Sequence, residues 1–327
     1  MNDYALEIKN LKVIFPNEAG IVRAVEGVNL NLQKGECVAL VGESGCGKSV
    51  TSLASMNLLT SPPAIVRAED IRLCGESILG LPDKKMQAIR GKRISMIFQD
   101  ALSSLNPVMT VGKQIDEIFK RHSKIKRSEA RRKSIELLKL VGVPDAETRY
   151  KAFPHELSGG MRQRVLIAMA FACEPEVIIA DEPTTALDVT IQAQVLEVLK
   201  NMCRMKSTAL LLITHDLSVV ANMADRVYVM YSGKIVEAAE TYPLFTNPLH
   251  PYTKGLMASV AGIDDEAGST FVQIPDTLPN PMRKPQGCYF NPRCKYATEK
   301  CKEAMPPLKT LDNGRQIRCW LCAENSN

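Results

Sequence analysis

The chain has 327 residues, 45% of them apolar and 24% charged, with a formal net charge of +5. That length gives room for one large domain and something smaller, and the composition is that of an ordinary globular protein rather than a disordered or fibrous one. No apolar run reaches the roughly 18 residues of a membrane-spanning helix, and the polar, acidic start Met1–Glu7 does not read as a secretory signal, so the expected place is the cytoplasm.

Residues 4–14 and 24–32 alternate apolar and polar side chains and predict antiparallel strands. Phe15 closes the first; its ring reads equally as core or as a platform for an adenine ring. Cys37–Val41 is a short apolar run that reads as a buried strand. It leads into Gly42-Glu43-Ser44-Gly45-Cys46-Gly47-Lys48-Ser49, which fits the phosphate-binding pattern G-x-x-x-x-G-K-[ST], and the apolar spacing of residues 50–59 predicts the helix that should follow. Gly42, Gly45 and Gly47 lack a Cβ, so the loop can curl and turn successive N–H groups, from Ser44 through Cys46 to Val50, toward phosphate oxygens at a helix N-terminus. Lys48 is expected on the β- and γ-phosphates and the Ser49 hydroxyl on Mg²⁺. Cys46 places a thiol among those amides beside Lys48, which reads either as a reactive thiol of lowered pKa or as a buried thiol serving merely as a small residue.

Ser61-Pro62-Pro63 ends the helix. Ile71–Leu73 reads as a strand, Leu81-Pro82-Asp83 as a helix start, and Ile94–Phe98 as a buried strand ending at Gln99. Residues 105–150 change to helical spacing: Val111, Ile115, Ile118 and Phe119 share one face, and a second helix is expected from Ser128 as N-cap. The basic run Arg127, Arg131, Arg132 and Lys133 reads as a solvated face. No aromatic residues interleave with it, so nucleic acid is not the expected partner.

Leu157-Ser158-Gly159-Gly160-Met161-Arg162-Gln163 opens another helix with a second glycine-rich N-terminus suited to a phosphate contact. Val177–Ala180 is a buried parallel-type strand ending in Asp181-Glu182. Ligands of such sheets lie beyond the strands' carboxyl ends, so Asp181 is expected to hold Mg²⁺ through water and Glu182 to polarise an attacking water. The strand Leu210–Thr214 ends at His215, whose place matches the other site residues. Residues 227–237 read as a hairpin around Ser232-Gly233. Periodicity fades over 243–287, and a domain boundary is expected near 260.

Five of the 10 cysteines crowd the tail as C-x5-C-x6-C-x17-C-x2-C: Cys288, Cys294, Cys301, Cys319 and Cys322. In a reducing compartment that predicts metal rather than disulfides. Zinc ribbons usually offer two C-x2-C pairs and ferredoxins C-x2-C-x2-C, so the spacing alone does not name the metal. The surrounding Arg283, Lys284, Arg293, Lys295, Lys300, Lys302, Lys309, Arg315 and Arg318 read as a basic shell able to offset the charge of thiolates around a cluster.

Together these residues resemble the ATP-binding cassette (ABC) ATPases. Gly42–Ser49 matches Walker A, Gln99 the Q-loop, Leu157–Gln163 the signature, Val177–Glu182 Walker B, Ala186-Leu187-Asp188 the D-loop and His215 the H-loop, while Phe15 matches the adenine-stacking position. More narrowly, residues 98–107, residues 181–194 and Asn247–Thr253 resemble the ATPases of oligopeptide/dipeptide (peptide/nickel/opine) importers. The resemblance implies an α/β P-loop NTPase fold with a RecA-like core, an antiparallel β subdomain and a helical subdomain at about 101–160. These make up a nucleotide-binding domain over 1–260, with a small cysteine-rich extension over 261–327. It implies ATP and Mg²⁺ as ligands, with Ser49, Gln99 and Asp181 toward the metal and Glu182, His215 and Gln99 toward the chemistry. It further implies a sister ATPase forming a heterodimer, two transmembrane permease subunits, an extracytoplasmic solute-binding receptor, and a place on the cytoplasmic face of the cell membrane. On the tail it implies a [4Fe-4S] cluster held by Cys288, Cys294, Cys301 and Cys319, with Cys322 spare and zinc as the alternative. A soluble, non-transport ABC ATPase is the competing reading; the single set of motifs and the lack of a long coiled-coil insertion weigh against it.

Overall fold

The structure, a computed structural model, describes residues 4–185, 187–258 and 277–324. The chain divides into two compact units, one of Met1–Leu6, Leu32–Glu36 and Arg72–Leu212, the other of Glu7–Asn31, Cys37–Ile71 and Ile213–Asn327. The expected boundary near 260 lies outside the described residues.

In the first unit, strands Ile94–Ile97 and Val177–Asp181 run parallel, in register from Ile94↔Val177 to Ile97↔Ala180. Parallel strands are covered on both faces, so they read as unbroken apolar runs; Val177, Ile178, Ile179 and Ala180 are all fully buried. The helical part holds Val111–Ser123, Arg127–Leu140 and Gly159–Phe171. Val111, Ile115 and Phe119 are buried, as their spacing predicts. On the same helix the buried Asp116 carboxylate accepts hydrogen bonds from Ser134 Oγ and Tyr150 Oη, each at 2.6 Å. Ser128 is not an N-cap: the helix begins one residue earlier, at Arg127, with Lys126 extended before it. Ser158 does cap its helix, accepting from the Met161 N–H at 3.3 Å.

In the second unit the strand order is Lys309–Thr310, Gln316–Ile317, Lys234–Glu240, Arg226–Tyr231, Cys37–Val41. Cys37–Val41 lies parallel to Arg226–Tyr231, from Val38↔Arg226 to Val41↔Val229. The hairpin turns at Ser232 and Gly233, both at positive φ, as a tight turn between right-twisted strands requires. Tyr4–Asn17 pairs antiparallel with Ile65–Arg67. The helix after the glycine loop, Lys48–Ser55, is shorter than the apolar spacing suggests, because Asn57 turns left-handed at φ 51° and unwinds it.

Among its described residues, the stretch in which periodicity fades holds the helices Thr241–Thr246 and Pro251–Ala258. Tyr252 is fully buried in a cluster with Val41, Val229, Tyr231, Leu244 and the tail's Phe290. The three rings meet edge to face, with Phe290 at 5.2 Å from Tyr231 and 5.5 Å from Tyr252. The tail therefore shares a core with the strand that feeds the glycine loop. No helix among the described residues is long and apolar enough to cross a membrane.

Candidate functional site

The glycine loop of the second unit curls as its sequence predicts. A Cβ on Gly42 would meet Met230 O at 2.2 Å, and one on Gly47 would meet Ala24 O at 2.5 Å, so backbone closeness requires glycine at both places. Lys48 is buried, and its ammonium donates to Gly42 O at 2.7 Å and Glu43 O at 3.0 Å. Ser44, Gly45 and Ser49 are exposed, while Val50 and Phe15 are half-buried. Phe15 lies near the end of Tyr4–Asn17. His215 is exposed just past the end of Ala209–Ile213.

Of the two readings of Cys46, the structure favours the buried thiol over the reactive one. It is 1% exposed, with Sγ 3.9 Å from Lys48 Nζ. Desolvation outweighs the Lys48 charge and raises the thiol's pKa rather than lowering it. The reactive-thiol reading counts the nearby positive groups but not the loss of water.

In the first unit, Asp181 is buried at the end of its strand. Glu182 follows in the left-handed region, at φ 47°. A glutamate takes that conformation uncommonly, although Glu174 does so too, at φ 51°. Its Oε2 accepts from Gln99 Nε2 at 2.8 Å and from Thr185 Oγ1 at 3.2 Å. The structure thus brings together Gln99 and Glu182, which lie 83 residues apart in sequence. Gly160 is packed so closely that a Cβ would meet Ile191 Cγ2 at 2.5 Å, whereas one on Gly159 would sit 3.3 Å from Leu187 Cδ2. The side chain of Gln163 is buried, and its Nε2 has no hydrogen-bond partner among the described residues. Ala186 lies outside the described residues.

The tail brings Cys288, Cys294, Cys301 and Cys319 to one apolar cavity of about 20 Å³, walled also by His250, Phe290 and Trp320. Cys322 does not line it; its Sγ faces Leu249 O at 3.6 Å. Burial raises the pKa of Cys288 and Cys294, while a hydrogen bond from Cys322 holds Cys319 below the usual thiol range. The cavity has room for about one water, so a multinuclear group would need the thiols to part. Among the described residues no three His, Cys, Asp or Glu side chains are placed to hold a single metal ion.

The basic shell expected around these thiols is largely engaged elsewhere. Lys284 pairs with Glu26, Arg293 with Glu43 and Arg315 with Glu237, each a specific carboxylate. Lys300 does stay near the cavity wall, 4.3 Å from the Trp320 ring centroid. Sequence reasoning missed Glu43, Tyr252 and Arg293 as a set. The only local signal was that Glu43 lies inside the glycine loop.

Comparison with known proteins agrees with this geometry. The ABC transporter family matches residues 25–185, and the oligopeptide/dipeptide transporter C-terminal region matches residues 236–301. The chain is 49% identical to the oligopeptide transport ATP-binding protein AppD of Bacillus subtilis over 98% of this chain and 97% of that one. It is 45% identical to the oligopeptide transport ATP-binding protein OppD of Salmonella typhimurium, over 96% and 93%. The solved dimeric ATP-binding cassette MJ0796, bound to ADP and phosphate, is 26% identical with a TM-score of 0.64, covering 72% of this chain and 98% of that one. Identity of this extent, spanning both the cassette and the tail, means that the chain is an ABC ATPase and belongs to the ATP-binding subunits of the oligopeptide/dipeptide transporters.

Proposed function

We propose that this subunit drives uptake of peptides, or of a related solute such as nickel or an opine, by hydrolysing ATP from the cytoplasmic face of the membrane. It would work as a heterodimer with a sister ATPase, beneath two permease subunits fed by an extracytoplasmic receptor. The observation that carries the reading is Glu182 itself, one residue past the buried Asp181 and hydrogen-bonded by Gln99.

In this reading the loop amides from Ser44 to Val50 cradle the phosphates, Lys48 neutralises the β- and γ-oxygens, and Phe15 stacks on the base. Ser49, Gln99 and Asp181 would hold Mg²⁺, which supplies charge neutralisation on the transferring phosphoryl group. Glu182 accepts a hydrogen bond from the attacking water and so directs its lone pair, with His215 completing the polar surroundings. Ser158, Gly159, Gly160 and Gln163 would contact the nucleotide held by the sister subunit. The capped helix N-terminus at Ser158 suits an anion.

For the tail we propose a structural [4Fe-4S] cluster on Cys288, Cys294, Cys301 and Cys319, with Cys322 spare. Support comes from the donor set: four thiols and no carboxylate line the cavity, and its other walls are largely apolar. A cluster would supply cross-links between tail segments that have little core of their own.

Two experiments test these readings. Glu182→Gln in the assembled transporter should keep ATP binding and cut turnover by about 10²–10⁴-fold; undiminished turnover removes Glu182 from the chemistry. Anaerobic purification with iron and sulfide analysis should return both elements. One zinc and no iron would dismiss the cluster.

A further inference from the structure

Glu43, the second residue of the glycine loop, is gripped from the tail side. Its N–H donates to Tyr252 Oη at 2.9 Å. Its carboxylate accepts from Arg293 Nη1 at 3.0 and 3.2 Å. Arg293 also reaches Tyr231 Oη at 3.4 Å and lies over that ring, 5.8 Å from its centroid. The Arg293 side chain is 4% exposed and that of Glu43 26% exposed, so the pair sits where water screens it only in part. On the other side, Glu43 O accepts from Lys48 Nζ and from the Cys46 N–H. One residue of the loop is therefore held at its N–H, its carbonyl and its side chain.

We propose that Arg293 is a positioning residue for the phosphate-binding loop: through Glu43 it fixes the loop's first turn and cancels a negative charge that would otherwise face the nucleotide's phosphates. The proposal rests on Gly42–Ser49 being the ATP loop. Glu43 is the only carboxylate within that loop. Left unpaired, it would repel a polyanionic ligand and swing with its own side-chain freedom. Arg293 removes both effects without touching ATP: its Nη1 reaches both the Glu43 carboxylate and the Tyr231 hydroxyl while its planar guanidinium lies over the Tyr231 ring, a fixed geometry that a lysine would not reproduce. The same contact makes the loop depend on the tail, since Arg293 stands between Asn291 and Cys294 in the turn that shapes the thiol cavity.

The test measures ATP affinity of the full-length subunit with a fluorescent ATP analogue, and KM and kcat in the assembled transporter. Arg293→Gln should weaken ATP binding by about tenfold and raise KM while changing kcat little, as expected for one uncompensated charge at a part-buried site. Arg293→Lys should recover only part of the loss. Adding Glu43→Gln to Arg293→Gln should restore most of the affinity, because the repulsive charge has gone. Equal affinity of Arg293→Gln and parent overturns the proposal. So does an equal loss with or without Glu43→Gln, which would mean that Arg293 merely holds the fold. Lys48→Ala separates this from the underlying reading: if that variant binds ATP like the parent, the loop assignment itself fails.

Discussion

At residue scale, Cys46 shows how desolvation decides between two readings of one thiol. A thiol beside a lysine and a helix N-terminus has the positive neighbours of a reactive cysteine. Its burial decides otherwise, and the raised pKa leaves it a neutral thiol at pH 7. Cys46 should therefore resist maleimide at pH 7 in the folded subunit, with or without ATP, as read by mass spectrometry of its peptide. Cys46→Ser should keep ATPase activity. Rapid labelling that bound ATP blocks would reinstate the acidic thiol. Glu182 makes the opposite case: its identity and place were legible as a carboxylate at a strand end, but its left-handed backbone was not, since no local pattern marks a glutamate for φ 47°.

At element scale, the pieces around the nucleotide loop and the Asp181 strand were readable because each obeys a short-range rule. Buried parallel strands are unbroken apolar runs, and glycines sit where the chain must curl. Helix ends were less readable: Lys48–Ser55 stops early, and Arg127–Leu140 starts without its expected cap. The signature helix adds a contact no spacing rule announces. Gly160 faces Ile191 of the helix Val189–Lys206, and a methyl there would sit 2.5 Å from a branch of the Ile191 side chain that is fixed to its Cβ. Gly160→Ala should push the two helices apart and cost about 1–3 kcal/mol despite alanine's better helix propensity. Gly159→Ala, with 3.3 Å to a terminal Leu187 methyl, should cost far less. Thermal melts of the isolated subunit read this without any nucleotide. Equal melting of the two variants would show that the helices are not packed through Gly160.

At the scale of the whole molecule, the least legible feature is how the tail is joined to the rest. The sequence shows cysteines and basic residues, and reads naturally as an appendage. Nothing local says that Arg293 meets a carboxylate 250 residues away, or that Arg315 meets one 78 residues away. Such pairs are set by which strands become neighbours: Gln316–Ile317 lies antiparallel to Lys234–Glu240, with Ala238↔Gln316 in register. That register carries Arg315 to Glu237, which is fully buried. The Glu237 carboxylate also accepts the N–H groups of Leu249 and His250, at 3.0 and 2.9 Å, and so ties strand, helix start and tail together.

A buried carboxylate in that position depends strongly on its cation. Removing one partner of such a pair typically costs about 3–5 kcal/mol, because the remaining charge stays out of water. Arg315→Met should thus lower the subunit's melting temperature by about 10 °C. Lys302→Met, which breaks the exposed pair with Glu299, should shift it by about 1 °C or less, since a surface pair is worth little. Adding Glu237→Gln to Arg315→Met should recover only part of the loss: the amide removes the stranded charge but can accept one of the two N–H groups, not both. Differential scanning of the three variants beside the parent decides the matter. If Arg315→Met melts with Lys302→Met, the tail is held by its apolar contacts alone and Glu237 is not its anchor.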